Sequence, residues 1–154
     1  MTPAIDQLIS LGVRHKLHQY THDPLAASYG TEAAEQLAVN AQKVFKTLVV
    51  ETGHKVLAVA VVPVDQQLNL KLLAKALAVK KVVMAEPIMV SRSTGYVLGG
   101  VSPIGQKRLL KTVIDTSAKD HASIYVSGGR RGLEIELKAG DLARMTCGLF
   151  ALIT

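Results

Sequence analysis

The spacing of apolar residues along the chain predicts several short helices. The first begins at Pro3, with Thr2 as its N-cap, because proline suits the first helical position and threonine can accept the free backbone N–H groups. A second helix is predicted from Gly30, with Thr31 as its cap. Apolar residues recur with helical spacing over 69–78, which predicts a third helix.

Two apolar runs, 44–50 and 56–62, predict an antiparallel hairpin, because only the short polar segment 51–55 separates them. Their almost continuous hydrophobicity indicates strands that are buried on both faces. Further short strands are predicted at 15–20, 81–83, 113–115, 123–126, 133–137 and 145–153. Helices and strands do not alternate strictly, and no linker or repeat divides the chain. The pattern therefore predicts one mixed α/β domain over residues 1–154.

Composition narrows the class of protein. The 154 residues are 49% hydrophobic and 19% charged, which is typical of a globular domain with a real core. Trp is absent and aromatic residues make up 4%, so a stacking platform for single-stranded nucleic acid is not expected. No apolar run reaches the roughly 20 residues of a membrane helix, and no signal peptide is recognisable. The single cysteine excludes an internal disulfide, and a reducing, cytoplasmic compartment is expected.

The net charge of +6 has two readings. It either serves solubility alone or marks a polyanionic partner. The basic residues form short clusters at 80–81, at Lys107 and Arg108, and at Arg130 and Arg131. Such clusters suit a phosphate backbone that is bound without sequence readout.

Familiar catalytic motifs are missing from the sequence. There is no Walker A loop, GxGxxG, GxSxG or HExxH. The five histidines lack the spacing of metal ligands, so neither a metal nor a cofactor is expected. Cys147 lies in an apolar run and is predicted to be a buried structural thiol rather than a nucleophile.

Three polar segments are the candidates for chemistry. Lys46 interrupts an apolar strand, so its ammonium group either reaches solvent or enters a pocket and binds an oxygen ligand strongly. The loop 99–105 is either structural or presents the N–H groups of Gly100 and Val101 to an oxyanion. The turn 127–132 is either a solvated hairpin or brings a hydroxyl and two guanidinium groups to a phosphate.

In this order, these segments resemble the YbaK/EbsC family of aminoacyl-tRNA deacylases, which is related to the editing domain of bacterial prolyl-tRNA synthetases. The similar segments are 44–48, the GxxxP loop 99–103 with its continuation to 107, and 127–135. The likeness covers nearly the whole chain. It implies a mixed α/β domain whose central, largely antiparallel sheet is barrel-like and surrounded by short helices.

The resemblance also implies a reaction, the hydrolysis of the ester between a mischarged amino acid and tRNA, first of all in Cys-tRNA(Pro). In the cysteine-clearing branch the substrate's own thiol attacks the carbonyl carbon and forms a thiolactone, while backbone donors stabilise the oxyanion. One alternative is a deacylase for another small amino acid such as alanine. Another is a tRNA- or synthetase-binding module without activity. The implied partners are the tRNA acceptor end and a prolyl-tRNA synthetase, and a monomer is favoured.

The resemblance assigns roles to residues of this chain. The implied catalytic positions are Lys46, Gly99, Gly100, Val101 and Ser102. The implied substrate-binding positions are Tyr20, Tyr29, Thr47, Pro103, Ser127, Gly128 and Glu134. The implied tRNA contacts are Lys107, Arg108, Arg130 and Arg131. Phenylalanine and aspartate are common in the family where Tyr29 and Glu134 stand here, so the preferred amino acid stays open.

Overall fold

The computed structural model describes residues 1–26 and 28–154. The α-helices are α1 (Pro3–Ser10), α2 (Tyr29–Gln36), α3 (Leu70–Leu77), α4 (Pro87–Thr94) and α5 (Ala139–Thr146). The strands are β1 (Lys16–Gln19), β2 (Phe45–Glu51), β3 (Leu57–Pro63), β4 (Val83–Met84), β5 (Lys111–Asp115), β6 (Ile124–Ser127), β7 (Leu133–Leu137) and β8 (Leu149–Ala151). Short 3-10 turns lie at Ala41–Lys43, Gly53–Lys55 and Thr116–Asp120. None of the helices in these residues is long and apolar enough to cross a membrane.

The strands form two sheets. A five-stranded sheet has the order β4-β2-β3-β5-β8, in which β2 pairs antiparallel with β4 and β3, and β5 pairs parallel with β3 and β8. An antiparallel three-stranded sheet has the order β1-β7-β6. A single parallel bridge between Val44 and Tyr125 links them. The predicted mixed α/β fold is confirmed, but the sheets stay open, so the barrel-like description is wrong.

Side-chain caps mark where α1 and α2 begin. The Thr2 hydroxyl accepts the N–H of Ile5 at the start of α1, as predicted, and Pro3 follows it. The predicted N-cap of α2 is wrong by about one helical turn. Its cap is Ser28, whose extended backbone precedes the helix and whose hydroxyl accepts the N–H of Thr31. Thr31 itself lies within the first turn.

Strand β3 lies at the centre of the core. Val59 and Val61 pack into the cluster that also contains residues of α1, β6 and β7. Ala60 and Val62, on the other face, pack against α3. Both faces are therefore buried, as the continuous apolar run predicts. Strand β2 is buried less completely, because residues 46–48 are only partly covered. This uncovered half of β2 opens onto the candidate site.

Two helices depart from the predicted elements. Helix α4 follows Pro87 and buries Ser93 and Thr94 as well as Val90, so it lacks a clear apolar stripe. Helix α5 occupies the start of the segment 145–153, which was predicted to be a strand. Cys147 ends α5 with a left-handed backbone (φ 52°) and is exposed. The prediction of a buried thiol is therefore wrong, because the apolar run spans a helix end rather than a strand.

Candidate active site

A cavity of about 420 Å³ lies beside the first half of β2 and the ends of β6 and β7. It collects residues from segments that are far apart in the sequence. The predicted site residues that line it are Tyr20, Tyr29, Lys46, Thr47, Gly99, Val101, Ser127, Arg130, Arg131 and Glu134. Apolar walls come from residues such as Phe45, Met84 and Leu98. The three segments identified in the sequence therefore meet at one cavity.

Strand β2 contributes a cation and an unpaired hydroxyl group. Lys46 is half-buried, and its ammonium group forms no ion pair within residues 1–26 and 28–154. The Oγ1 atom of Thr47 is buried and finds no hydrogen-bond partner in the same residues. A buried polar atom without a partner is rare in proteins. The Thr47 oxygen has almost no accessible surface, so Lys46 is the polar side chain of β2 that is available to a ligand in the cavity.

Strand β7 contributes a buried carboxyl group. Glu134 is 7% exposed, and burial raises its pKa from 4.5 to about 8, because the charged form loses its hydration. Nearby, burial and then the negative charge of Glu134 raise the pKa of Tyr20. At pH 7 Glu134 is mostly protonated, and a cation beside it would favour the ionised form.

The loop before β5 approaches the cavity through its backbone. Gly99 has φ +90°, and a Cβ there would lie 2.7 Å from Cε2 of Tyr29 and 2.8 Å from Nε of Arg131, so glycine is required. The N–H of Gly100 donates to the carbonyl of Val97 at 3.0 Å. Contrary to prediction, this N–H is not available to an oxyanion. The N–H of Val101 donates to no acceptor in the part of the chain that the structure describes.

Ser102 and Pro103 belong to this loop, are buried and do not line the cavity. The Ser102 hydroxyl accepts the N–H of Ile104 at 3.3 Å, and the Ser102 carbonyl accepts a bond from Gln106. Tyr96 donates to the carbonyl of Ile104 at 2.7 Å, and burial raises the pKa of Tyr96 to about 12. Ser102 is fully buried and shapes the loop, and its catalytic role stays a prediction without support from the cavity.

The turn between β6 and β7 also contains one predicted site residue that lines the cavity and one that does not. Ser127 lines the cavity, and its hydroxyl accepts the N–H of Gly129 at 3.1 Å. Gly128 does not line the cavity. Its N–H donates to the carbonyl of Leu133 at 2.8 Å, and a Cβ there would lie 2.6 Å from the Leu133 side chain. Gly128 is thus needed for the turn and not for contact with a ligand.

The predicted tRNA contacts fall into three places. Arg130 is exposed at the rim of the cavity, whereas Arg131 is half-buried in its wall. Lys107 and Arg108 are exposed and lie outside the cavity. Arg108 instead lines a second cavity of about 400 Å³, together with Lys55 and Lys111.

The structure adds two residues that the sequence analysis did not select, His22 and Glu32. Nδ1 of His22 lies 2.7 Å from a carboxylate oxygen of Glu32, and Nε2 of His22 lies 2.7 Å from Nη1 of Arg131. No spacing rule signals this pair, because only the fold brings Arg131 to His22. Within residues 1–26 and 28–154, no three His, Cys, Asp or Glu side chains gather as a metal site would require.

Comparison with known proteins identifies the family. Residues 23–145 match the family of aminoacyl-tRNA editing domains. EbsC of Enterococcus faecalis, whose name proposes it as a Cys-tRNA(Pro)/Cys-tRNA(Cys) deacylase, is 40% identical over 135 residues, which are 88% of this chain and 80% of EbsC. The chain therefore belongs to the aminoacyl-tRNA editing domain family. The predicted resemblance and the predicted class, an aminoacyl-tRNA deacylase, are confirmed.

Two solved structures share the fold at low sequence identity. The structure of hypothetical protein APE2540 has a TM-score of 0.87 at 24% identity, and the match covers 99% of each chain. The structure of a protein described as a candidate trans-editing enzyme for prolyl-tRNA synthetase has a TM-score of 0.83 at 20% identity. That match covers 100% of this chain and 98% of the other. Both matches show that the fold of this chain is shared over almost its whole length.

Proposed function

We propose that the chain hydrolyses Cys-tRNA(Pro) in trans and thereby clears cysteine that was attached in error. The proposal is supported by the 40% identity to EbsC, whose name carries this activity. The main structural support for the proposal is the set of residues that line the 420 Å³ cavity. A lysine, a buried carboxyl group and a loop N–H that has no acceptor among the described residues surround one space that suits a small aminoacyl ester.

Each group has a proposed role in holding the ester. The Glu134 carboxylate binds the α-ammonium group of the amino acid, an attraction that is strong where little water screens it. The Lys46 ammonium binds oxygen atoms at the 3′ end of the tRNA. The N–H of Val101, and the backbone of Gly99 beside it, face the carbonyl oxygen as it becomes an oxyanion.

The reaction itself uses the thiol of the substrate. The sulfur attacks the ester carbon, a C–S bond forms and the C–O bond to the ribose breaks. The thiol proton passes to the ribose oxygen, so tRNA leaves with a free hydroxyl group and cysteine leaves as a thiolactone. Water then opens the thiolactone to cysteine. The protein supplies orientation and oxyanion stabilisation, which together account for large rate effects.

The tRNA body is held by charge in this proposal. The exposed Arg130, Lys107 and Arg108 contact phosphates without reading sequence, so binding weakens as salt is added. A prolyl-tRNA synthetase is the proposed source of the mischarged tRNA and the proposed protein partner. The monomeric state and the cytoplasmic location stay predictions.

A panel of charged tRNAs tests the proposed function. We expect the wild-type protein to release cysteine from Cys-tRNA(Pro) at least about a hundredfold faster than serine from Ser-tRNA(Pro), because serine lacks only the sulfur nucleophile. Ala-tRNA(Pro) and Pro-tRNA(Pro) complete the panel. Equal release of serine or alanine would contradict thiol assistance and favour a deacylase for small amino acids. Binding of all four without release above the buffer rate would favour a module without activity.

Thr47 offers a second test of the same site. We expect Thr47→Val to raise the free energy of unfolding by about 1 kcal/mol, because valine removes a buried hydroxyl that has no partner. The same change keeps kcat/KM for Cys-tRNA(Pro) within about threefold of the wild type, because the buried oxygen does not reach the cavity. Urea unfolding and single-turnover deacylation measure the two effects. Thr47→Ser, which keeps the hydroxyl, is the control. A valine variant that is no more stable than the wild type, or that loses more than about tenfold in activity, would contradict this account of the hydroxyl.

A further inference from the structure

A chain of hydrogen bonds connects a buried carboxylate to the wall of the cavity. Glu32, in the first turn of α2, is 6% exposed. One of its carboxylate oxygens accepts the N–H of Asp23 at 2.9 Å, and the other lies 2.7 Å from Nδ1 of His22. On the far side of the imidazole, Nε2 lies 2.7 Å from Nη1 of Arg131. Both oxygens of Glu32 and both nitrogens of His22 are therefore engaged.

The chemistry of arginine fixes the direction of these bonds. A guanidinium group has only donors, so Nε2 of His22 must accept from Arg131. The imidazole proton then lies on Nδ1 and is donated to Glu32. A doubly protonated imidazole has no acceptor nitrogen, so this arrangement requires neutral His22. The negative charge of Glu32 orients the ring, and the ring orients the arginine.

The guanidinium group of Arg131 is held between three separate segments. Its central carbon lies 3.2 Å from the centre of the Tyr29 ring, in a cation–π contact. The Tyr29 ring also meets the His22 ring edge-on, with centres 5.8 Å apart. Nε and Nη2 of Arg131 lie where a side chain on Gly99 would be, at 2.8 and 2.9 Å from its Cβ position. Arg131 thus touches the predicted substrate wall and the loop of Val101 together.

We propose that Glu32 and His22 are positioning residues that hold Arg131 flat against Tyr29 and Gly99. In this position Arg131 determines the geometry of the pocket that holds the aminoacyl ester. The inference rests on the proposed function. The inference gives Arg131 a different role from its exposed neighbour Arg130. Arg131 acts on the geometry around the ester, whereas Arg130 contacts a phosphate.

Two variants of His22 separate positioning from general stability. In His22→Gln the side-chain oxygen lies near the position of Nε2 and accepts from Arg131. In His22→Asn the amide lies near Nδ1, so the bond to Glu32 is kept and the acceptor for Arg131 is lost. Arg131→Lys keeps the charge but loses the flat guanidinium group. Arg14→Ala removes an exposed positive charge that does not line the cavity and is the control. Thermal unfolding establishes that each variant is folded.

Kinetics are measured with Cys-tRNA(Pro) and with cysteinyl-adenosine, an ester that has no phosphate. We expect His22→Asn and Arg131→Lys to lower kcat by about tenfold or more on both substrates, with KM changed by less than about threefold. His22→Gln stays within about threefold of the wild type, and Arg14→Ala has the wild-type kcat. Equal losses in the two His22 variants would overturn the inference. So would a loss in Arg131→Lys that is confined to Cys-tRNA(Pro), because that result marks a phosphate contact. If the wild type hydrolyses neither ester, the proposed function fails instead.

Discussion

Lys46→Ala lowers kcat/KM for Cys-tRNA(Pro) by about a hundredfold or more, while the protein remains folded. Lys46 lines the cavity and forms no ion pair in the described residues, so its charge is not neutralised before the substrate arrives. Removing one well-placed electrostatic contact at a reacting centre costs about 100- to 1000-fold in rate. Stability changes little, because no ion pair is lost and a half-buried charge is removed. Single-turnover deacylation and urea unfolding measure the two quantities.

Two further lysine variants make the Lys46 result specific. Lys46→Arg keeps the positive charge in a larger, planar group, so we expect it to recover only part of the activity. Lys71→Ala removes an exposed charge in α3, outside the cavity, and has wild-type kinetics. If Lys46→Ala turns over at the wild-type rate, the side chain serves only to reach solvent, which is the other reading that the sequence left open.

Elements that depend on local pattern were predictable. Strand β7 has the predicted bounds, and the β2–β3 hairpin differs by one residue at each end, because a turn-forming segment separates two apolar runs. Helices α4 and α5 depend on tertiary packing. In α5 the buried residues are Ala139, Leu142 and Thr146, a sparse pattern that the longer apolar run behind it obscured.

In the candidate site, too, some residues could be predicted from the local sequence and others only from the fold. Lys46 and the paired glycines of the loop can be recognised in the sequence because each interrupts a local pattern. Lys46 is a charged residue in an apolar strand, and the glycines are two adjacent flexible residues. The direction of the Gly100 N–H is set by a turn, and its acceptor, Val97, cannot be inferred from composition. The His22–Arg131 contact joins residues 109 positions apart, so only the folded chain shows it.

Glu134→Gln is expected to raise stability and remove activity together. In the folded protein the pKa of Glu134 is about 8, against an ordinary value of 4.5. Between these two values the folded state keeps a proton that the unfolded state has released, so the contribution of Glu134 to stability falls as the pH rises through this window. At pH 7 this cost is about 3 kcal/mol, and glutamine, which does not ionise, avoids it. Loss of the carboxylate that binds the α-ammonium group lowers kcat/KM by about a hundredfold.

The pH dependence distinguishes this cause from better packing of glutamine. Measured by urea unfolding, the gain in stability shrinks to under about 1 kcal/mol near pH 5, because that pH lies only slightly above the ordinary pKa of 4.5, so ionisation stabilises the unfolded state very little. Glu136, two residues along β7, is the matched control. Its pKa is lowered by the Ser123 hydroxyl and by His18, so ionisation stabilises the fold above its ordinary pKa and Glu136→Gln brings no gain at pH 7. A pH-independent gain in Glu134→Gln would place the effect in packing, and full activity would remove Glu134 from the ammonium site.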